Sequence, residues 1–157
     1  MPRPLTLDAI DWKILGALQA DGALTNVELA RRVGLTPPPC LRRLHALQEA
    51  GYIETYRAIL NAQKLGYSVV CFAFVHLASQ AESDLAAFQK LVAGWANVRE
   101  CWTLSGDFDF LMKCVTEDLP SLQTFIADLT AAPNVRNVRT ALALGKVKDE
   151  GLVPIVG

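Results

Sequence analysis

Ile10, Ile14 and Leu18 share one helical face, and Leu15 widens it, so the hydrophobic pattern predicts a first helix over Leu7 to Ala20. Asp8 and Asp11 suit its positive N-terminal end, and Asp21-Gly22 closes it. A second, shorter helix opens at Thr25: a threonine followed three residues later by Glu28 has capping-box form, in which each side chain satisfies an orphaned backbone donor of the other. Leu29 and Val33 mark its apolar stripe, and Gly34 ends it, since glycine takes the left-handed conformation without a steric penalty. A third helix follows directly, with Thr36 as N-cap and Pro37, Pro38 and Pro39 in the first turn, where N–H groups have no intrahelical acceptor to lose. Leu41, Leu44 and Leu47 predict its inward face, and Gly51 its end. Three amphipathic helices with nothing else to cover them form a small bundle.

The period then shortens. Tyr52 to Leu60 is β-prone, reads as a wing or a hinge strand, and ends at the turn-like Asn61; Lys64-Leu65-Gly66 marks a boundary. Beyond it strand, helix, strand occurs twice: Ser68 to Leu77, Glu82 to Trp95 and Val98 to Leu104, then Phe108 to Thr116, Asp118 to Ala131 and Val135 to Leu144. Leu85, Phe88 and Val92 map onto Leu122, Phe125 and Leu129 at a constant offset of 37. This pattern is the ferredoxin-like arrangement (βαββαβ), a four-stranded antiparallel sheet with two helices on one face. The fold class is α+β, with a helix-turn-helix domain over 1–60, a linker over 61–67 and the sheet domain with its C-terminal tail over 68–157. In Val69 to Val75 both alternating faces are apolar, although an antiparallel sheet with one wet face should alternate. The helices cover one face, so the other calls for a second copy of the chain, and a homodimer is expected.

Composition narrows the class. Hydrophobic residues make up 52% of the 157, consistent with surface buried between subunits. No apolar run approaches the roughly 20 residues a bilayer requires, and the start lacks a signal pattern, so a cytoplasmic protein is expected. The four cysteines are far apart and form no C-x-x-C pair; neither a metal site nor a redox dithiol is expected. The second domain's one histidine, His76, lies within a strand, and no nucleophile–base pair stands out, so neither an enzyme nor a cofactor is anticipated.

Charge brings in a partner. Basic and acidic residues nearly balance, 15 against 16, yet Leu29 to Gln48 carries four arginines and no acid. Two helices joined by a short turn, with a local positive excess, match the motif whose second helix enters the major groove of double-stranded DNA. A solvated helical hairpin is the plainer reading; caps, turn and charge together favour DNA. Between the middle strands, the stretch from Trp102 to Phe110 forms either a tight hairpin turning on Gly106 and Asp107 or a polar pocket. In the second case backbone N–H groups around Gly106 meet a carboxylate, and Asp107 or Asp109 meets an ammonium, which together describe a free amino acid.

Leu7-Asp8-x-x-Asp11, Asp21-Gly22, Thr25-Asn26-x-Glu28-Leu29, Val33-Gly34-Leu35-Thr36, Cys40-Leu41-Arg42-Arg43, Gly51-Tyr52-Ile53, Ser105-Gly106-Asp107-x-Asp109 and Val147-Lys148 together resemble the Lrp/AsnC family of bacterial and archaeal transcriptional regulators. The resemblance covers nearly the whole chain. It implies a winged helix-turn-helix joined by a hinge strand to a ferredoxin-like domain that pairs the chains, with dimers often gathering into octamers. It also implies an amino-acid effector near the Gly-Asp-x-Asp loop, with Leu104, Ser105, Gly106, Asp107 and Asp109 as its contacts. Ser105 and Phe108 stand where many relatives carry threonine and tyrosine. The DNA contacts implied are Asn26, Arg31, Arg32, Thr36, Pro38, Pro39, Arg42, Arg43 and His45. Because the proline run removes side-chain donors from the leading tip, base-edge hydrogen bonds fall mainly to Thr36, Arg42, Arg43 or His45, and the prolines offer apolar contact to thymine methyls. The rival readings are an architectural DNA-binding protein without an effector, and a metabolite-binding module without DNA function.

Overall fold

Local chemistry sets the three N-terminal helices. In this computed structural model, which describes residues 6–150 and 153–155, α1 runs Ala9–Ala20, α2 Asn26–Val33 and α3 Pro37–Glu49. Asp8 Oδ1 accepts from the N–H groups of Ile10 and Asp11, and Asp11 Oδ2 accepts from Asp8 N–H, so α1 begins with a capping box of two aspartates. Thr25 and Glu28 make the corresponding pair on α2. Gly34 stops α2 at φ 76°, a left-handed backbone that a side chain resists, and Leu35 N–H returns to Ala30 O. Ile14, Leu18, Leu29, Ala30, Val33, Cys40 and Leu47 form the bundle's core.

Two expectations change here. The inward face of α3 is Cys40, Leu44 and Leu47, not Leu41, Leu44 and Leu47; Leu41 stands 39% exposed on the outer side. Both triplets fit a period of 3.6, and packing against α1 and α2 chooses between them. Among the described residues Tyr52 to Leu60 forms no strand, and Ile59 is 88% and Leu60 69% exposed. A β-prone segment becomes a strand only when a second strand runs beside it, and the described sheet contains only β-strands beyond residue 68; Tyr52 N–H instead returns to Leu47 O at the end of α3.

The remaining elements are β1 (Val69–Leu77), α4 (Glu82–Ala93), β2 (Val98–Thr103), β3 (Phe110–Thr116), α5 (Leu119–Thr130) and β4 (Val135–Leu142). They make a four-stranded antiparallel sheet in the order β2-β3-β1-β4, the ferredoxin-like topology expected. Cys71, Ala73, Val75 and Leu77 of β1 and Phe110, Met112, Cys114 and Thr116 of β3 face the helices and are buried. Phe88 of α4 stacks on Phe110 at 4.8 Å, and Trp95 meets Phe125 of α5 edge-on at 5.6 Å. On the opposite face Val70, Phe72, Phe74, Leu111 and Val115 are only half-buried, and Trp102 is 45% exposed.

The described residues of 1–59 and of 148–157 form one compact unit and 60–147 the other. The described part of the C-terminal tail packs against α1. Gln19 Nε2 donates to Val153 O at 2.6 Å, and Ile155 Cγ2 lies where a Cβ on Gly16 would come within 3.2 Å. These contacts span more than 130 positions, beyond the reach of any periodicity.

Candidate nucleic-acid interface and effector loop

The α2–turn–α3 element presents the predicted residues unequally. Arg31 and Arg32 are exposed at the end of α2; Arg32 approaches Asp21 only at 3.9 Å. Thr36 occupies the N-cap of α3 but makes no side-chain cap bond. A capping oxygen accepts from the N–H of the second or third helical residue, and those are Pro38 and Pro39, which have none. Thr36 stays exposed, and its hydroxyl makes no cap bond.

Asn26 and Arg43 turn inward. Asn26 Nδ2 donates to Pro37 O at 2.9 Å, tying the start of α2 to the start of α3, while its buried Oδ1 finds no donor among the described residues. Arg43 Nη1 donates to Asp8 Oδ2 at 2.7 Å and to Asp11 Oδ1 at 2.8 Å. Asp11 is 6% exposed, so this is a clamp from α3 onto the cap of α1 rather than a surface pair. The two aspartates raise the Arg43 guanidinium above its ordinary pKa, Asp11 more than Asp8. The Asp11 backbone N–H, then Arg43, hold the Asp8 carboxyl below the usual range. In this geometry Arg43 Nη1 is directed toward α1, while the side chain stays 34% exposed. Arg42 and His45 are exposed, and with Pro38, Leu41, Ala46 and Glu49 they line a shallow groove of about 480 Å³.

In the loop after β2 the two candidate carboxylates also differ. Asp109 is 7% exposed: its Oδ2 accepts from Leu77 N–H at 2.7 Å and its Oδ1 from Gln80 Nε2 at 2.8 Å. His76 Nδ1 lies 3.2 Å from Oδ2 but out of hydrogen-bonding alignment. Asp109 therefore ties the loop to the end of β1. Asp107, Gly106 and Ser105 are exposed, Leu104 is half-buried and donates its N–H to Asp109 O, and Gly106 sits at φ 132° with open space where a side chain would be. Two neighbours escaped the sequence pattern. Phe108 packs on Phe74 at 5.5 Å, and the Arg139 guanidinium lies 5.7 Å over the Phe108 ring. Only the sheet register, which pairs Arg139 with Phe74, brings that charge to the loop. Among the described residues no group of three or more metal-ligating side chains is placed to hold an ion, and no helix is long and apolar enough to cross a membrane.

The sequence model for the Lrp/AsnC ligand binding domain matches residues 70–153, and one for a winged helix-turn-helix DNA-binding domain matches 7–54. The chain belongs to the Lrp/AsnC family. Its members regulate transcription through the two parts described above, a helix-turn-helix and a ligand-binding sheet domain, and this regulator has both. It is 55% identical over 150 residues to a leucine-responsive regulatory protein of Rhizobium meliloti, covering 95% of this chain and 96% of that one. A transcriptional regulator of Neisseria meningitidis, solved in complex with L-Met, superposes with a TM-score of 0.90 at 35% identity, covering 95% and 97% of the two chains. An AsnC-family regulator from Agrobacterium tumefaciens superposes at 0.87 with 32% identity, covering 94% and 97%.

Proposed function

We propose that this Lrp/AsnC-family regulator reads operator DNA as a dimer through the outer face of α3 and changes its affinity when an amino acid binds at the 104–109 loop. The observation that carries the reading is the separation of roles on the two helices. Arg42 and His45 stay exposed in a groove while Arg43 and Asn26 hold α3 in place. On this reading Thr36, Arg42 and His45 supply polar contacts to DNA, Pro38 and Pro39 apolar ones, and Arg31 and Arg32 anchor phosphates. Asn26 and Arg43 act as positioning residues.

In the sensor domain Asp107, exposed and without an ion pair among the described residues, suits an effector ammonium better than the buried Asp109, whose oxygens already accept from Leu77 N–H and Gln80 Nε2. Backbone N–H groups at Ser105 and Gly106 and the guanidinium of Arg139 suit its carboxylate. That L-Met was captured by the Neisseria relative supports an amino acid as the ligand class. The half-buried Val70, Phe72, Phe74 and Leu111 supply the apolar surface for a sheet-to-sheet dimer, and further assembly to an octamer suits the exposed apolar linker. The protein acts in the cytoplasm, where its DNA is, and carries out no catalysis.

The test is selection of bound duplexes from a random pool, with and without a mixture of the twenty amino acids. A recovered twofold-symmetric site whose affinity shifts with the mixture is the expected result; no enriched duplex overturns the DNA reading. If a dimer neutralises about eight phosphates, log affinity should fall with log salt at a slope near about −7, and a slope near zero would contradict it.

A further inference from the structure

The outer stripe of α3 is split. Pro38, Leu41, Arg42 and His45 recur at helical spacing along one groove, apolar at the N-terminal end and polar in the middle, with Glu49 at the far end. The apolar half is built rather than incidental. Thr36 lacks a cap bond, the next three residues have no N–H, and the first amide of the helix, Cys40, already donates to Thr36 O. The tip of this helix thus has no backbone donor for a phosphate, which is how a helix N-terminus ordinarily grips one. Leu41 matches the spacing of a core residue, yet the core position is taken by Cys40, and Leu41 stands outward at 39% exposure.

We infer that Leu41, together with Pro38, is a specificity-determining contact that reads the 5-methyl groups of thymine in the major groove, next to the base edges met by Arg42 and His45. The inference rests on the DNA reading above. Thymine is the one base that shows a methyl group in the major groove, and an aliphatic side chain is its natural partner. A leucine exposed among arginines has no hydrogen bond to offer a base, so its discrimination must come from burying apolar surface. Arg42 in the same groove, with the exposed Arg31 and Arg32 at the end of α2 on phosphates, holds the duplex against it.

Deoxyuracil differs from thymine only by that methyl. The duplex recovered by selection is therefore remade with deoxyuracil at each thymine in turn, and affinity is measured at fixed salt. The expected result is a loss of about fourfold at one or two thymines per half-site, the equivalent of about 0.8 kcal/mol per buried methyl. Leu41→Ala is expected to erase the thymine–uracil difference at one of those positions, keeping the wild-type response to guanine replacement opposite Arg42. Because Leu41 lies outside the core, the variant's thermal transition checks its fold, and Leu41→Met provides a second variant that should retain part of the discrimination. Three results would overturn the inference: no thymine sensitive to methyl removal, a recovered site without thymine near the helix tip, or full sensitivity surviving in both Leu41→Ala and Pro38→Ala. Failure to enrich any duplex is a separate outcome, and it removes the DNA reading itself.

Discussion

Replacing Asp109 and Asp107 by alanine, one at a time, separates a carboxylate that holds the sheet domain together from one that faces a ligand. Asp109 is almost fully buried and accepts from Leu77 N–H at 2.7 Å and Gln80 Nε2 at 2.8 Å. In Asp109→Ala the Leu77 N–H, inside the sheet near the β1 bulge after His76, loses its acceptor and cannot reach water. A buried donor left unpaired costs about 1 to 3 kcal/mol, and the lost bond was charge-assisted, so roughly 2 to 3 kcal/mol is expected. Gln80 adds little, because its amide can turn to solvent. In a domain of this size about 1 kcal/mol moves Tm by about 4 to 8 °C, so the sheet domain should melt about 10 to 20 °C lower. Asp107→Ala removes an exposed group without an ion pair among the described residues and should stay within about 0.5 kcal/mol of wild type. Thermal unfolding followed by circular dichroism gives both shifts. The same melts with L-Met as probe test binding, since a ligand at 100 times its Kd adds about 2.7 kcal/mol per site. Asp107→Ala should lose that gain while the folded state is unchanged. If instead Asp109→Ala melts like wild type and alone loses the ligand response, the assignment of the two roles is reversed and the reasoning fails.

Arg43→Ala should lower the melting temperature of the helical unit and weaken binding to all duplexes alike, whereas Arg42→Ala should leave melting unchanged and cost about 1 to 3 kcal/mol of specific affinity; gel-shift titration beside thermal melts distinguishes them. Asp8 is lowered mainly by the Asp11 N–H and then Arg43, and Glu28 by the Thr25 hydroxyl and N–H, so each favours folding in its charged form. Their contribution is whole above the ordinary carboxylate range and is lost as pH falls through the lowered folded values, below about pH 4; Thr25→Ala should flatten that acid slope in a pH series of melts. Burial pushes the Cys114 thiol up to about 12, and Cys40 and Cys71 are buried as well, so iodoacetamide under native conditions should label Cys101 first and the others only after unfolding; rapid labelling of Cys114 would contradict the core packing.

How far the sequence carries the reader depends on the range of the interaction involved. Caps, turns and periodicity act within about four residues, which is why Thr25 with Glu28, Gly34 and the repeated strand-helix-strand pattern are legible, and why the ferredoxin-like topology follows from them. Thr36 is a partial case. Its position as N-cap is right, but its missing bond follows from the prolines, and that too was readable from the sequence. The loop at 104–109 is legible as a place of interest, but which aspartate is free is not.

What the chain determines alone is therefore its elements, their caps and the positive stretch from Leu29 to Gln48. Tertiary structure alone decides which charges remain available. Arg43 meets Asp8 and Asp11 across 35 and 32 positions, Asp109 meets Leu77 across 32, and Gln19 meets Val153 across 134. It also decides that Leu41 faces out and Cys40 in, and that Tyr52 to Leu60 joins no strand of the described sheet. The physical reason is common to all of these. A side chain's partner, a helix's rotation and a strand's neighbour are set by groups distant in sequence, and a periodic pattern names which residues share a face without naming what that face meets.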